Sequence, residues 1–334
     1  MIGTHRWILV VLLGLGGLAR AGEPAPQHLL RPDGSSISYY LQQRQPSGPS
    51  SSLLVILQGS DCNSVSHITS IPLLAQAMPE ADVLTVEKYG LEATLPYSQD
   101  AERADCPQAY LEHDSPTQRT DDLQAVIQHL RQQRHYASVI ALGGSEGAVI
   151  AHALAARPGV VDATVAFNGG GQWFADDLLH SVDSSDLPVA EKAEARQGLQ
   201  AFIQQVQGQP PADLRASGHG ARWWQEVLRL DQLALLQDSH TPALLIQAMA
   251  DQSVSVPAVM AMVEQLRRDA RPGVDFRPYP GLGHRFDDHH GQSHMPTVVE
   301  DIALWLRQLP PLATSAAECP ATAMECDRWP QALV

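Results

Sequence analysis

The segment "ASVIALGGSEGAVIAHALAARPG", residues 137–159, passes from a short apolar run to an alanine-rich one through Gly143-Gly144-Ser145-Glu146-Gly147. The first run, 137–143, has the length and unbroken apolar character of a strand buried on both faces. The second, 146–158, has the apolar spacing of a helix and stops at Pro158-Gly159. A serine at that joint sits on a sharp turn. Small residues at 143 and 147 let strand and helix pass close to each other there. The helix start also offers free backbone N–H groups and the positive end of a dipole, which suits a developing oxyanion. The pentapeptide alone is a loose signal; the strand before it and the helix after it give it meaning.

Outward from this joint the same alternation repeats. "SSLLVILQ" (51–58) and "ADVLTVEK" (81–88) read as strands, with a helix over 65–78 between them. "SPTQRTDDLQAVIQHLRQQ" (115–133) reads as a helix entered through Ser115-Pro116, with Leu123, Val126, Ile127 and Leu130 on one face. A strand follows at 161–168. After an interruption come a strand (242–250), a helix (257–269), a strand (274–280) and a helix (295–309). Alternation of this kind predicts an α/β fold with a mostly parallel central sheet and helices on both faces. The alternating stretch 34–45 is expected to pair antiparallel at an edge. Ligand sites in such sheets lie beyond the carboxyl ends of the strands.

Residues 170–241 break the rhythm with two helix-like stretches, "SDLPVAEKAEARQGLQAFIQQV" and "ARWWQEVLRLDQLALL". Their position between two core strands favours a helical lid over a peripheral helical pair. At the N-terminus, a His5-Arg6 lead, an apolar run over 7–19 and Ala19-Arg20-Ala21 have the pattern of a signal peptide over 1–21, which implies a periplasmic or secreted protein. The domain is then expected over 22–310, followed by a tail over 311–334. Cys62, Cys106, Cys319 and Cys326 allow three pairings in an oxidising compartment; their separations favour Cys62–Cys106 and Cys319–Cys326, the second stapling the tail. A net charge of −15 argues against binding a phosphate backbone, hence no nucleic-acid partner is expected, nor stable membrane insertion after signal cleavage.

Taken together, these residues resemble the α/β-hydrolase superfamily over about 35–310, and the G-x-S-E-G form is similar to its esterase and prolyl-oligopeptidase-type branches. The resemblance implies an acyl-transfer nucleophile at Ser145, an acid at Asp251 in "ALLIQAMADQSVSV", and a base at His284 in "YPGLGHRFDD", in the chain order of that fold. Asn168 is not ionisable and leaves the acid role to Asp251. The oxyanion hole is expected from the backbone N–H groups of Ser60 and Glu146, with Gln58 where the family usually has histidine. Gly143 and Gly147 form the elbow. Neither metal nor organic cofactor is implied.

An ester is the expected substrate, with a short peptide or amide as the alternative. Glu146 is read as a helix-capping acid or a partner for a cationic group, and Glu87-Lys88 as pocket lining. Trp173, Trp223 and Trp224 are read as packing residues or an acyl pocket. Two readings of another class remain: a catalytically inactive protein on the same fold, and a metal-binding protein using "HRFDDHHGQSH" (284–294), with His290 and His294 on one helical face and His289 near them.

Overall fold

A computed structural model describes residues 24–44 and 50–309. The expected signal peptide and the expected tail, with Cys319 and Cys326, lie outside the described residues. In chain order the strands are β1 (Gln27–Leu30), β2 (Ser36–Gln42), β3 (Ser52–Leu57), β4 (Asp82–Val86), β5 (Ser138–Gly144), β6 (Ala163–Phe167), the short β7 (Arg215–Ala216) and β8 (His219–Gly220), β9 (Ala243–Ala248) and β10 (Val274–Tyr279). One eight-stranded sheet runs in the order β1-β2-β4-β3-β5-β6-β9-β10, while β7 and β8 pair by themselves. β1 and β2 are antiparallel additions; from β4 to β10 every neighbour is parallel. The antiparallel edge expected at 34–45 is therefore present, with β1 added outside it.

The helices are α1 (Ile71–Leu74), α2 (Gln108–His113), α3 (Pro116–Arg134), α4 (Glu146–Ala155), α5 (Phe174–Asp183), α6 (Val189–Gly208), α7 (Ala221–Val227), α8 (Gln232–Asp238), α9 (Val256–Arg268) and α10 (Met295–Gln308). Because strand side chains alternate between faces, β3 sends Leu53, Val55 and Leu57 to one side, against Leu123, Ile127 and Leu130 of α3 and Ile150 and Leu154 of α4. Leu54 and Ile56 go to the other side, against Leu74 and Val298 and Ile302 of α10. Complete burial of each such side chain contributes about 1.5–3 kcal/mol. Ser115 caps α3 by accepting from the Gln118 N–H, as its Ser-Pro start predicts.

Two expected helices are divided. Over 65–78 the chain makes a 3-10 turn at Val65–His67, then α1, then a second turn at Ala75–Ala77. Pro72 lacks the N–H that would continue a ladder from residue 68, so the turns cannot merge. The stretch beginning at Ala221 splits into α7 and α8 because Asp231 accepts from the Ala234 N–H and caps a new helix. Leu233 and Leu236 of α8 join Ala148, Ala166 and Leu245 in the main core. By contrast, α5, α6 and α7 share a core of their own around Ile203, Val206, Trp223, Trp224 and Val227, with Phe174 and Phe202 packed against it.

Candidate active site

Ser145 stands between β5 and α4 with φ 53° and ψ −126°, a left-handed backbone that a non-glycine residue adopts only under constraint. The constraint is visible on both sides. A Cβ on Gly147 would collide with the Leu57 carbonyl of β3, and one on Gly143 with the Gly147 carbonyl. Helix and sheet approach so closely here that only hydrogen fits. The Ser145 N–H donates to the Phe167 carbonyl at the end of β6 (3.0 Å), pinning the turn to the neighbouring strand.

Asp251 follows β9, is 4% exposed, and faces a single ring. Its Oδ2 lies 2.7 Å from His284 Nδ1, on the loop after β10. Its Oδ1 accepts from the N–H groups of Ser253 (2.8 Å) and Val254 (3.1 Å), so the carboxylate cannot rotate without losing two bonds. The histidine loop is fixed by Phe286, which is completely buried and packs its ring against Phe167 and Tyr279.

Asn168 ties these parts together. Its Nδ2 donates to the His284 carbonyl (2.8 Å), and its Oδ1 accepts from the Ala248 N–H (2.8 Å). Since Ser145 is bonded to Phe167 and His284 to Asn168, the serine and the histidine flank one dipeptide at the carboxyl end of the sheet. Ser145 Oγ and His284 are not hydrogen-bonded to each other in this structure; such contacts commonly tighten only when substrate is bound.

The loop after β3 lies against the serine: a Cβ on Gly59 would be 3.6 Å from Ser145 Cβ. Gln58 stiffens this loop by donating to Asp61 Oδ1 (2.7 Å) and the Asn63 carbonyl (2.8 Å). The disulfide Cys62–Cys106 fastens the loop to the segment before α2, as the cysteine separations predicted. Arg103 Nη1 reinforces it by donating to the Cys62 carbonyl and Asn63 Oδ1, each 2.9 Å away.

Burial decides several roles that the sequence left open between alternatives. Glu146 neither caps α4 nor faces open space: its Oε2 meets Lys88 Nζ (3.3 Å) and Arg119 Nη1 (3.0 Å), and its Oε1 accepts from Trp223 Nε1 (2.8 Å). Burial opposes ionisation of this carboxyl, but Lys88 and Arg119 outweigh it and hold it well below the usual carboxylate range. Lys88 does not line a pocket, because its side chain is fully enclosed; Glu87 is likewise buried, bonded to Ser64, Tyr40 and the Val65 N–H. Trp223 and Trp224 are core residues of the inserted helices, with His219 stacked on Trp223 at 3.7 Å. Trp173 alone of the three is partly exposed, beside a groove of about 360 Å³ that Gln172, Asp176 and Met262 also line.

The histidine-rich segment 284–294 is not helical. Asp288 Oδ1 accepts from the N–H groups of His290 and Gln292, and Gly291 adopts φ 77°, folding the stretch into a tight turn. His290 and His294 therefore share no helical face, and among the described residues no three His, Cys, Asp or Glu side chains converge as metal ligands.

Comparison with known proteins agrees with this architecture. A family model described as the prolyl oligopeptidase family matches residues 108–309. No curated protein sequence matches the chain. Among solved structures, the chain is similar to Est1E from Butyrivibrio proteoclasticus (TM-score 0.55, 14% identity, covering 84% of this chain and 97% of that one). It is also similar to an esterase from Pyrococcus furiosus (0.54, 15%, 85% and 90%). An acylaminoacyl peptidase from Pyrococcus horikoshii is alike over 86% of this chain but only 42% of its own (0.53, 12%).

Proposed function

The chain belongs to the prolyl oligopeptidase family and is a serine hydrolase of the α/β-hydrolase superfamily, and on that premise we propose that it cleaves a carboxylic ester through an acyl-enzyme on Ser145. The observation that carries this reading is the 2.7 Å bond from Asp251 to His284, formed beside a serine on a constrained elbow.

In the proposed reaction His284 Nε2 takes the proton of Ser145 Oγ as the oxygen attacks the ester carbon. Asp251 keeps the other ring proton on Nδ1 and stabilises the imidazolium. The tetrahedral oxyanion is received by the backbone N–H groups of Ser60 and Glu146, each such donor being worth on the order of 3 kcal/mol in the barrier. His284 then returns the proton to the leaving alcohol. Water repeats the sequence on the acyl-enzyme, releasing the acid and restoring the serine.

An ester is the substrate class proposed, with a short peptide or amide as the alternative; an esterase and a peptidase both stand among the structures of similar fold. Export through residues 1–21, a lid built from α5 to α7 and a tail stapled by Cys319–Cys326 complete the proposal. Turnover of p-nitrophenyl esters, compared with aminoacyl anilides, tests the substrate class. Fluorophosphonate should label the wild type, and Ser145→Ala should abolish both label and turnover. A Ser145→Ala protein that still hydrolyses esters at the wild-type rate would end the proposal, and faster cleavage of anilides would transfer it to the peptidase reading.

A further inference from the structure

The loop that carries Ser60 is held by a lysine that the proposed reaction does not use. Lys88, just beyond β4, donates from Nζ to the carbonyls of Gly59 (2.7 Å) and Asp61 (2.8 Å), the two residues that flank Ser60. Its remaining contact is Glu146 Oε2 at 3.3 Å. An ammonium has three donors and no acceptor, so this set uses all of them. The side chain is fully buried, and no solvent competes for those bonds.

Peptide geometry turns this clamp into an orientation. In a planar trans peptide the C=O and the following N–H point in opposite directions. With the Gly59 carbonyl drawn to the buried ammonium, the Ser60 N–H is aimed away from Lys88, out of the interior. The preceding peptide is fixed in the same way, since Arg119 Nη2 donates to the Gln58 carbonyl (3.0 Å) while its Nη1 meets the same Glu146 oxygen. Glu146 is the residue whose backbone N–H is the second proposed donor. One ion cluster thus joins the two segments that supply the oxyanion donors, and Trp223 of α7 closes it from the inserted helices.

We propose that Lys88 is a positioning residue for the oxyanion hole: by holding the Gly59 and Asp61 carbonyls while paired with Glu146, it fixes the direction of the Ser60 N–H. The inference rests on the reading of Ser145 as nucleophile and of Ser60 and Glu146 as donors. Lys88 touches neither substrate nor reacting atoms, and its effect belongs to the transition state, where the oxyanion exists.

Lys88→Met is the informative change, because it leaves Glu146 paired with Arg119, whereas Glu146→Gln would remove the carboxylate that both buried cations contact. The folded variant should lose about 10²-fold in kcat, the scale of a misplaced oxyanion donor, with KM within about threefold of the wild type. Inhibition by a trifluoromethyl ketone, which forms a tetrahedral adduct on the serine, should weaken by the same factor as kcat/KM. A loss of thermal stability alone would move none of these ratios. Wild-type kcat in folded Lys88→Met, or a loss confined to KM, overturns the proposal. If Lys88→Met does not fold, Lys88→Gln, whose shorter, uncharged side chain carries two donors in place of three, is judged by the same two outcomes. Ser145→Ala measured alongside separates the two claims: activity surviving there defeats the nucleophile assignment itself, whatever Lys88 does.

Discussion

Replacing Asp251 by Asn changes one atom and should cost about four orders of magnitude in kcat. The surroundings dictate how the new amide sits. The oxygen at the Oδ1 position accepts from the Ser253 and Val254 N–H groups, so the oxygen of the amide must stay there. The NH₂ group is then forced toward His284 Nδ1, where the carboxylate oxygen had been 2.7 Å away. Facing a donor, Nδ1 must act as acceptor, and the ring proton moves to Nε2, the nitrogen that has to receive the serine proton. The amide also lacks the negative charge that steadies the imidazolium formed in the transition state. Four decades in rate correspond to about 5.5 kcal/mol. The assay is kcat for a p-nitrophenyl ester, with a thermal melt to show that the fold is retained. A well-folded Asp251→Asn enzyme within tenfold of the wild-type kcat would refute the assignment of Asp251 as the orienting acid.

Two further outcomes concern stability. Reducing Cys62–Cys106, or replacing both by serine, removes a crosslink between residues 44 apart and should destabilise by up to about 4 kcal/mol on the chain-entropy account; an unchanged urea midpoint would deny the bond any stabilising role. Burial holds His152 down at about 4 and His219 at about 3, so both stay neutral in the native state at pH values where an unfolded histidine, near 6.5, is protonated. The unfolded chain then binds the extra protons, and each histidine's contribution to stability should fall as pH drops from about 6.5 toward about 4, by up to about 1.4 kcal/mol per pH unit, against the opposite contribution of Asp114 and Asp177, which burial pushes up to about 7. Urea titrations of wild type and His152→Gln across that range should show the variant gaining stability relative to the wild type as pH falls, and an identical slope would contradict the account.

The parallel sheet was legible because buried strands announce themselves as apolar runs, and the elbow because the strand before it and the helix after it are marked in one short segment, although the Leu57 carbonyl that keeps Gly147 small comes from β3. The histidine and aspartate loops were legible through their resemblance to a known pattern. The ion cluster was not, because Lys88, Arg119 and Glu146 reach one another from a strand end, a helix and the turn at Ser145, and no spacing in the chain records that meeting. One trace of it is present: Arg119 lies four residues before Leu123, on the apolar stripe of α3, where a charge is out of place unless paired. Asn168 was set aside because it cannot ionise. Its work is done by an amide that both donates and accepts, a role that asks nothing of its charge state. The helix expected at 65–78 failed on Pro72, whose missing donor outweighs the apolar spacing around it.

The enclosure of Lys88 has a practical corollary for handling the protein. Across the whole sequence there are only two lysines, and the other, Lys192, sits on α6 with its Nζ bonded to the Asp183 carbonyl at the surface. Acylating dyes, amine-coupled supports and lysine-specific proteases acting on the native chain are therefore directed to Lys192 among the lysine side chains. Modification at Lys88 becomes a marker that the molecule has opened, and its appearance over time would report unfolding without any engineered probe.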